Sequence, residues 1–168
     1  MRQDGTLHVL DDDLTLSNGL AWSVEGTALY SVDTERRRIS VRPYDPTTGE
    51  TGSRETFVEL EDGYPDGICL DADGGLWVAI WGLGRVHRYA TDGSLDRVIE
   101  VPAPHTSAVA FAGHDLDILV ITTASDGLTP AQRREFPDSG RLFTTRPGVA
   151  GHPQPLWSGT THQENTPS

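Results

Sequence analysis

The sequence has few of the features that would place it in a disulfide scaffold, a membrane or a nucleic-acid complex. Its 168 residues include a single cysteine, Cys69, so no intrachain disulfide can form. The longest apolar runs reach about eight residues, whereas a membrane-spanning helix needs about 20. The 13 Lys and Arg residues face 25 Asp and Glu residues, and the resulting net charge of −12 repels polyanions. These absences predict neither a membrane nor a nucleic-acid partner, and they leave a bound cation open.

The amino terminus also lacks the pattern of a secretory leader. The first residues, MRQDGTLHV, are polar from the start and contain no apolar stretch. A single cysteine is compatible with a reducing compartment. We therefore expect a soluble cytoplasmic protein.

Glycine and proline are plentiful, with 18 and 11 residues, and they punctuate an internal repeat. The three copies are TLSNGLAWSVEGTALYSVD (15–33), GYPDGICLDADGGLWVAIW (63–81) and TSAVAFAGHDLDILVITTA (106–124). Asn18-Gly19 aligns with Asp66-Gly67, and Ser107 occupies the same place in the third copy. The equivalent positions are therefore 48 and then 41 residues apart.

Each of the first two copies continues into two further strand-like segments joined by a turn. These are RRISVRPYDPTTGET (37–51) and GRVHRYATDGSLDRVIEV (84–101). A period of about 40–50 residues with four short strands per unit is typical of a β-propeller blade. The sequence thus predicts an all-β fold, a partial β-propeller of about three four-stranded blades. An open β-sandwich with chance similarity between its segments is the alternative.

The last third of the chain is less regular than the repeat. Thr129 and Pro130 predict the N-cap and first residue of a short helix in 128–136. Two more strands are expected at 140–145 and 155–159. The predicted organisation is one partial propeller domain over residues 1–159 and a disordered tail over 160–168.

The repeat has a consequence for Asn18 and Asp66. Equivalent positions of successive blades lie at the same distance from the propeller axis, so residues far apart in sequence become neighbours. Placed just before the channel-lining strands, the two side chains would offer an amide oxygen and a carboxylate at one mouth of the channel. Such oxygens suit Ca²⁺, Mg²⁺ or Mn²⁺, and Zn²⁺ also accepts them. The alternative is that Asn-Gly and Asp-Gly are ordinary turn pairs.

Other candidate sites fit their motifs less well. Asp71 and Asp73 suggest a calcium loop, but the twelfth position is Gly82 instead of the Glu that an EF-hand requires, so a hairpin turn is favoured. His105 and Ser107 lack a nucleophile elbow, although Ser107 still qualifies as a channel-facing residue. The indole rings of Trp22 and Trp77 are expected to pack between blades.

Several segments resemble the gluconolactonase, regucalcin and senescence-marker-protein family. They are SNGLAWSVEGTALYSVDT (17–34), YPDGICLDADGGLWVAIWGLGRVHRYATDG (64–93), PHTSAVAFAGHDLDILVITTAS (104–125) and SGRLF (139–143). The resemblance runs over residues 4 to 157. It implies a six-bladed propeller that hydrolyses sugar lactones with one divalent metal in its central channel. The family's ligands are a Glu of the first blade, the Asn of SNG and the Asp of PDG, and the last two carry over to Asn18 and Asp66. The resemblance further implies that Asp66 is the general base.

The chain departs from the family in one large respect. Only the last three or so blades are matched, and no residue corresponds to the first-blade Glu or to the Arg and Asn that hold the substrate. Glu25, Asp33 and Glu35 do not replace that Glu by motif. We therefore predict a metal-dependent sugar-lactone hydrolase present as an incomplete carboxyl-terminal portion. The alternatives are a non-catalytic propeller fragment that binds divalent cations or proteins, and a truncated product without activity. Exposed blade edges would favour self-association.

Overall fold

The apolar repeats form antiparallel β-strands in a computed structural model that describes residues 7–153. The first sheet contains β1 (Ser17–Trp22), β2 (Ala28–Asp33), β3 (Arg38–Pro43) and β4 (Glu55–Glu59). The second contains β5 (Tyr64–Leu70), β6 (Leu76–Trp81), β7 (Arg85–Tyr89) and β8 (Leu95–Glu100). The third contains β9 (Thr106–Ala112), β10 (Ile118–Thr123) and β11 (Leu142–Thr145). In every sheet the strands follow chain order, so each copy of the repeat opens a new sheet.

Glycines allow the hairpin turns that connect these strands. Gly74 and Gly93 have φ angles of +80° and +82° in the β5–β6 and β7–β8 turns. Such angles are open to glycine at little cost and strained for most other residues. The carboxylate of Asp71 organises the first of these turns, because it accepts hydrogen bonds from the backbone N–H groups of Asp73 and Gly75. The hairpin interpretation of this segment is therefore supported.

Two apolar layers hold the sheets together. One lies between the first and second sheets and includes Tyr30, Ile39 and Ile80. The other lies between the second and third sheets and is centred on Trp77, which is fully buried. Burying such side chains is the main favourable contribution to folding, at about 25 cal/mol per Å² of apolar surface. The middle sheet is thus covered on both faces, and each outer sheet has one covered face.

The predicted helix is present as α1 (Pro130–Glu135), which follows β10. Thr129 caps it in a capping box with Gln132, and Pro130 stands in its first turn. Its first turn carries no acidic residue and none of its residues is buried. Within residues 7–153, no helix has the length and apolarity needed to cross a bilayer.

The all-β prediction is confirmed, whereas the blade number stays a prediction. The strand expected at 140–145 is present, but the strand expected at 155–159 and the tail at 160–168 lie outside the described residues. Trp77 packs between two sheets as expected. The expectation for Trp22 is wrong among the described residues: its side chain is 42% exposed, because no further sheet covers the outer face of the first one.

Candidate functional site

Asn18, Asp66 and Ser107 occupy the same structural position in the three sheets. Each lies near the start of the first strand of its sheet, where the pairing register shifts by one residue. The sequence placed Asn18 and Asp66 in turns before these strands. The structure instead puts them inside β1 and β5, at β-bulges, which redirect side chains and are common beside active sites.

Two glycines bring the first strands of neighbouring sheets unusually close. A Cβ added to Gly19 would lie 2.4 Å from the carbonyl oxygen of Asp66. A Cβ added to Gly67 would lie 2.6 Å from the Cβ of Ala108. Neither glycine has a positive φ angle. The Asx-Gly pairs at these two positions therefore serve close approach between sheets rather than a tight turn.

The close approach joins the two side chains that the repeat singled out. The Asn18 amide donates a hydrogen bond to the Asp66 carboxylate. Burial raises the pKa of Asp66, and this hydrogen bond offsets part of the rise. Asn18 is exposed and Asp66 is half-buried, so both can meet a ligand from solvent.

A pocket surrounds this pair at the end of the first two sheets. Its lining residues are Leu16, Asn18, Thr34, Glu35, Tyr64, Asp66 and Trp81. Glu35 was set aside in the sequence because it matches no family motif, yet the turn after β2 brings it to the pocket. Tyr64 and Trp81 were found next to each other because they are paired across β5 and β6. The pocket therefore combines two carboxylates, one amide and two aromatic rings.

Hydrogen bonds from neighbouring segments fix the backbone around the pair. The Thr34 hydroxyl donates to the carbonyl of Pro65 at 2.8 Å in a buried position, which ties β5 to the first sheet. Asp33 accepts hydrogen bonds from the backbone N–H groups of Thr15 and Leu16, just ahead of Asn18. Burial by itself raises the pKa of Asp33, but these hydrogen bonds outweigh it and the net pKa is lowered. The loop entering β1 is thus anchored by an ionised carboxylate.

Aromatic stacking closes one side of the pocket. The rings of Trp81 and His105 lie 4.1 Å apart and 10° from parallel. A bridge between the backbones of the same two residues joins the second and third sheets. The Arg37 guanidinium lies 4.8 Å from the centre of the Tyr64 ring and restrains the opposite side. Trp81 therefore lies at the rim of the pocket, as its place at the end of β6 suggested.

Ser107 and His105 do not act on each other. The Ser107 hydroxyl is hydrogen-bonded to the Thr122 hydroxyl at 2.7 Å. The His105 Nδ1 atom instead lies 3.1 Å from the carbonyl of Asp126. Each polar group has a separate partner, so a nucleophilic pair is not formed. Ser107 also lies outside the lining of the pocket that holds Asn18 and Asp66.

The donors at the pair suit a hard cation but do not complete its coordination. Asn18 and Asp66 offer an amide oxygen and a carboxylate, which are ligands that Ca²⁺ and Mg²⁺ accept. Among residues 7–153, no three His, Cys, Asp or Glu side chains converge to hold a metal. The thiol of Cys69 is no ligand either, because burial raises its pKa to about 12. The set fits a cation only with further ligands from water or other chain segments.

Comparison with known proteins gives consistent family matches. The model of the SMP-30/gluconolactonase/LRE-like region matches residues 1–125. Regucalcin of Xenopus laevis is 35% identical over 144 residues, which are 83% of this chain and 48% of that protein. The chain spans about half the length of the curated relatives it matches.

Solved structures show the same relationship in three dimensions. A regucalcin of Agrobacterium tumefaciens, described as a calcium-binding protein, superposes with a TM-score of 0.81 at 36% identity. That match covers 86% of this chain and 50% of the regucalcin. The gluconolactonase XC5397 of Xanthomonas campestris matches with a TM-score of 0.58 at 33% identity, over 66% of this chain and 36% of the other.

Proposed function

Because this chain belongs to the SMP-30/gluconolactonase/LRE-like family, we propose that it is the carboxyl-terminal portion of a metal-dependent sugar-lactone hydrolase. One observation carries the proposal: Asn18 and Asp66, 48 residues apart, share a hydrogen bond in a pocket on the channel side of the sheets. The three sheets then correspond to three blades of a six-bladed propeller. The solved relative of which this chain covers half supports that correspondence.

In this proposal Asp66 handles the proton of the reaction. A water molecule attacks the lactone carbonyl carbon, and Asp66 accepts the proton that the water loses. The ring carbon–oxygen bond then breaks, and the proton passes to the oxygen that leaves as a hydroxyl. Burial favours this role, because it raises the pKa of Asp66 and makes the carboxylate a better base. A positioned base contributes about 10²–10⁴ in rate.

Asn18 and Asp66 would also hold a divalent cation, either Ca²⁺, Zn²⁺, Mg²⁺ or Mn²⁺. When bound, such an ion polarises a carbonyl oxygen and lowers the pKa of water. Asn18 contributes a neutral oxygen and orients the Asp66 carboxylate by its hydrogen bond. Glu35 lines the same pocket and would add negative charge on the substrate side.

The second candidate is a non-catalytic module that binds divalent cations or proteins. The incomplete acidic set within residues 7–153 favours it, because two ligands position a cation less firmly than three. The remaining inferences from sequence go with either candidate. A net charge of −12 disfavours nucleic acid as a partner, and a cytoplasmic location stays a prediction.

Hydrolysis of glucono-δ-lactone tests the two candidates. The purified chain is assayed by pH-stat with each of the four cations, beside a full-length relative. We expect a cation-dependent rate far below that of the relative, which Asp66→Ala reduces at least about 10²-fold. Asp62→Ala is the matched control, because Asp62 is an exposed acid four residues away.

Three other outcomes distinguish the proposals. Cation binding in calorimetry that needs Asn18 and Asp66, without hydrolysis, supports the binding module. Hydrolysis that survives Asp66→Ala removes Asp66 from the mechanism. A rate equal to that of the full-length relative contradicts the view that this portion is incomplete.

A further inference from the structure

Each sheet has two chemically distinct faces, and the middle sheet shows what each face binds. We call the face toward the preceding sheet the front face and the opposite one the back face. On the second sheet, Ile68 and Leu70 belong to the front face and pack on the first sheet. Cys69 and Trp77 belong to its back face and pack on the third sheet. A front face therefore meets a back face in both interfaces of the structure.

The front face of the first sheet is open in its inner part. Leu20 and Trp22 are the repeat equivalents of Ile68 and Leu70. Their side chains are 54% and 42% exposed, whereas Ile68 and Leu70 are 8% and 5% exposed. Segment 7–13 lies over the outer part of this face, where Asp11 pairs with the buried Arg42. Among residues 7–153, no sheet covers Leu20 and Trp22.

The back face of the third sheet is open in the same way. Leu142 is paired with Thr122, as Val86 is paired with Ala79 in the second sheet. Leu142 is 69% exposed, whereas the equivalent Val86 is fully buried. Ala110, the equivalent of the half-buried Cys69, is exposed as well. The chain thus ends its stack of sheets with a front face at one end and a back face at the other.

We propose that these two faces bind each other in a ring of two copies of this chain. A front face of one copy would meet the back face of the second, and the reciprocal contact would form across a two-fold axis. The solved regucalcin is matched over 50% of its length, so two copies supply the number of residues that one such chain contains. A closed two-fold arrangement leaves no open face, so growth stops at two copies.

The ring makes a specific prediction about mass in solution. Light scattering after size-exclusion chromatography should give twice the chain mass of 18.2 kDa. Because each chain carries a net charge of −12, added salt should raise the dimer fraction by screening repulsion. This readout is independent of lactone hydrolysis, so failure of one proposal leaves the other untouched.

Two variants and their mixture test which faces meet. Trp22→Glu disables the front face and Leu142→Glu disables the back face, and each variant alone should run as a monomer. An equimolar mixture should recover dimer, because the mixed pair keeps one contact between an intact front face and an intact back face. Leu95→Glu is the control: Leu95 is an equally exposed apolar residue, at 52%, on the outer strand of the middle sheet. It should leave the dimer unchanged.

Three results would overturn the ring. The first is a monomeric parent chain from about 1 to 100 µM, which would leave these faces to other chain segments. The second is loss of dimer in only one variant without recovery in the mixture, which indicates contact between like faces. The third is assemblies that keep growing with concentration. Far-UV circular dichroism of each variant shows that the sheets are folded, since both substitutions lie on exposed positions.

Discussion

Asp71 offers the sharpest test of how the middle sheet is held together. Its side chain is fully buried and accepts hydrogen bonds from Trp77 Nε1 and Arg88 Nε, both at 2.7 Å, and from the backbone of Gly75 at 2.8 Å. Asp71→Asn keeps the shape but removes the charge and one acceptor. The indole N–H and the guanidinium, which is 12% exposed, would then lack a full partner.

The expected cost follows from this burial. Removing one partner of a buried ion pair destabilises a protein by about 3–5 kcal/mol. For a chain of this size each kcal/mol lowers Tm by about 2–4 °C, so a decrease of about 6–20 °C is expected. Asp96→Asn is the matched control, because Asp96 pairs with the same Arg88 but is 41% exposed. Such exposed pairs contribute about 0.2–1 kcal/mol.

Urea unfolding followed by tryptophan fluorescence measures both changes. Burial by itself raises the pKa of Asp71, but the hydrogen bonds from Arg88, Trp77 and Gly75 outweigh it and the net pKa is lowered. The stability from this carboxylate is therefore present above about pH 4 and is lost as the pH falls through the lower pKa of the folded state. The Asp71→Asn deficit should shrink in acid. Equal losses in both variants would refute the reasoning.

Two further substitutions probe the candidate site. Asp66→Asn should stabilise the chain at pH 7, because the raised pKa of Asp66 means that its charge opposes folding, and the gain should vanish below about pH 4 in urea titrations; no gain over the exposed Asp62→Asn contradicts this. Gly67→Ala should cost about 1–3 kcal/mol, because the new Cβ would lie 2.6 Å from that of Ala108, and Ala108→Gly in the same chain should restore part of the loss. An unchanged urea midpoint in Gly67→Ala would show that the sheets can separate freely.

The sequence predicted the fold class and the partnership of Asn18 and Asp66, because both depend on periodicity. It could not predict the bulges. Asn-Gly and Asp-Gly are also the signals of tight turns, and only the pairing of β1 with β2 and of β5 with β6 shows the extra residue. Glu35 was missed for a related reason: its position depends on the turn after β2, which no repeat specifies. Trp22 was assigned to packing because the repeat does not indicate where the stack of sheets ends.

The repeated bulge also explains why one member of the pair is an amide. The first strands approach so closely that the two side chains share a hydrogen bond. Two carboxylates at this separation would repel each other, and one of them would stay protonated near neutral pH. Asn18 instead donates to Asp66 and leaves its own oxygen free. A single negative charge at the pair then attracts a cation without fixing it, so the affinity of the site depends on acids that other sheets bring to the same axis.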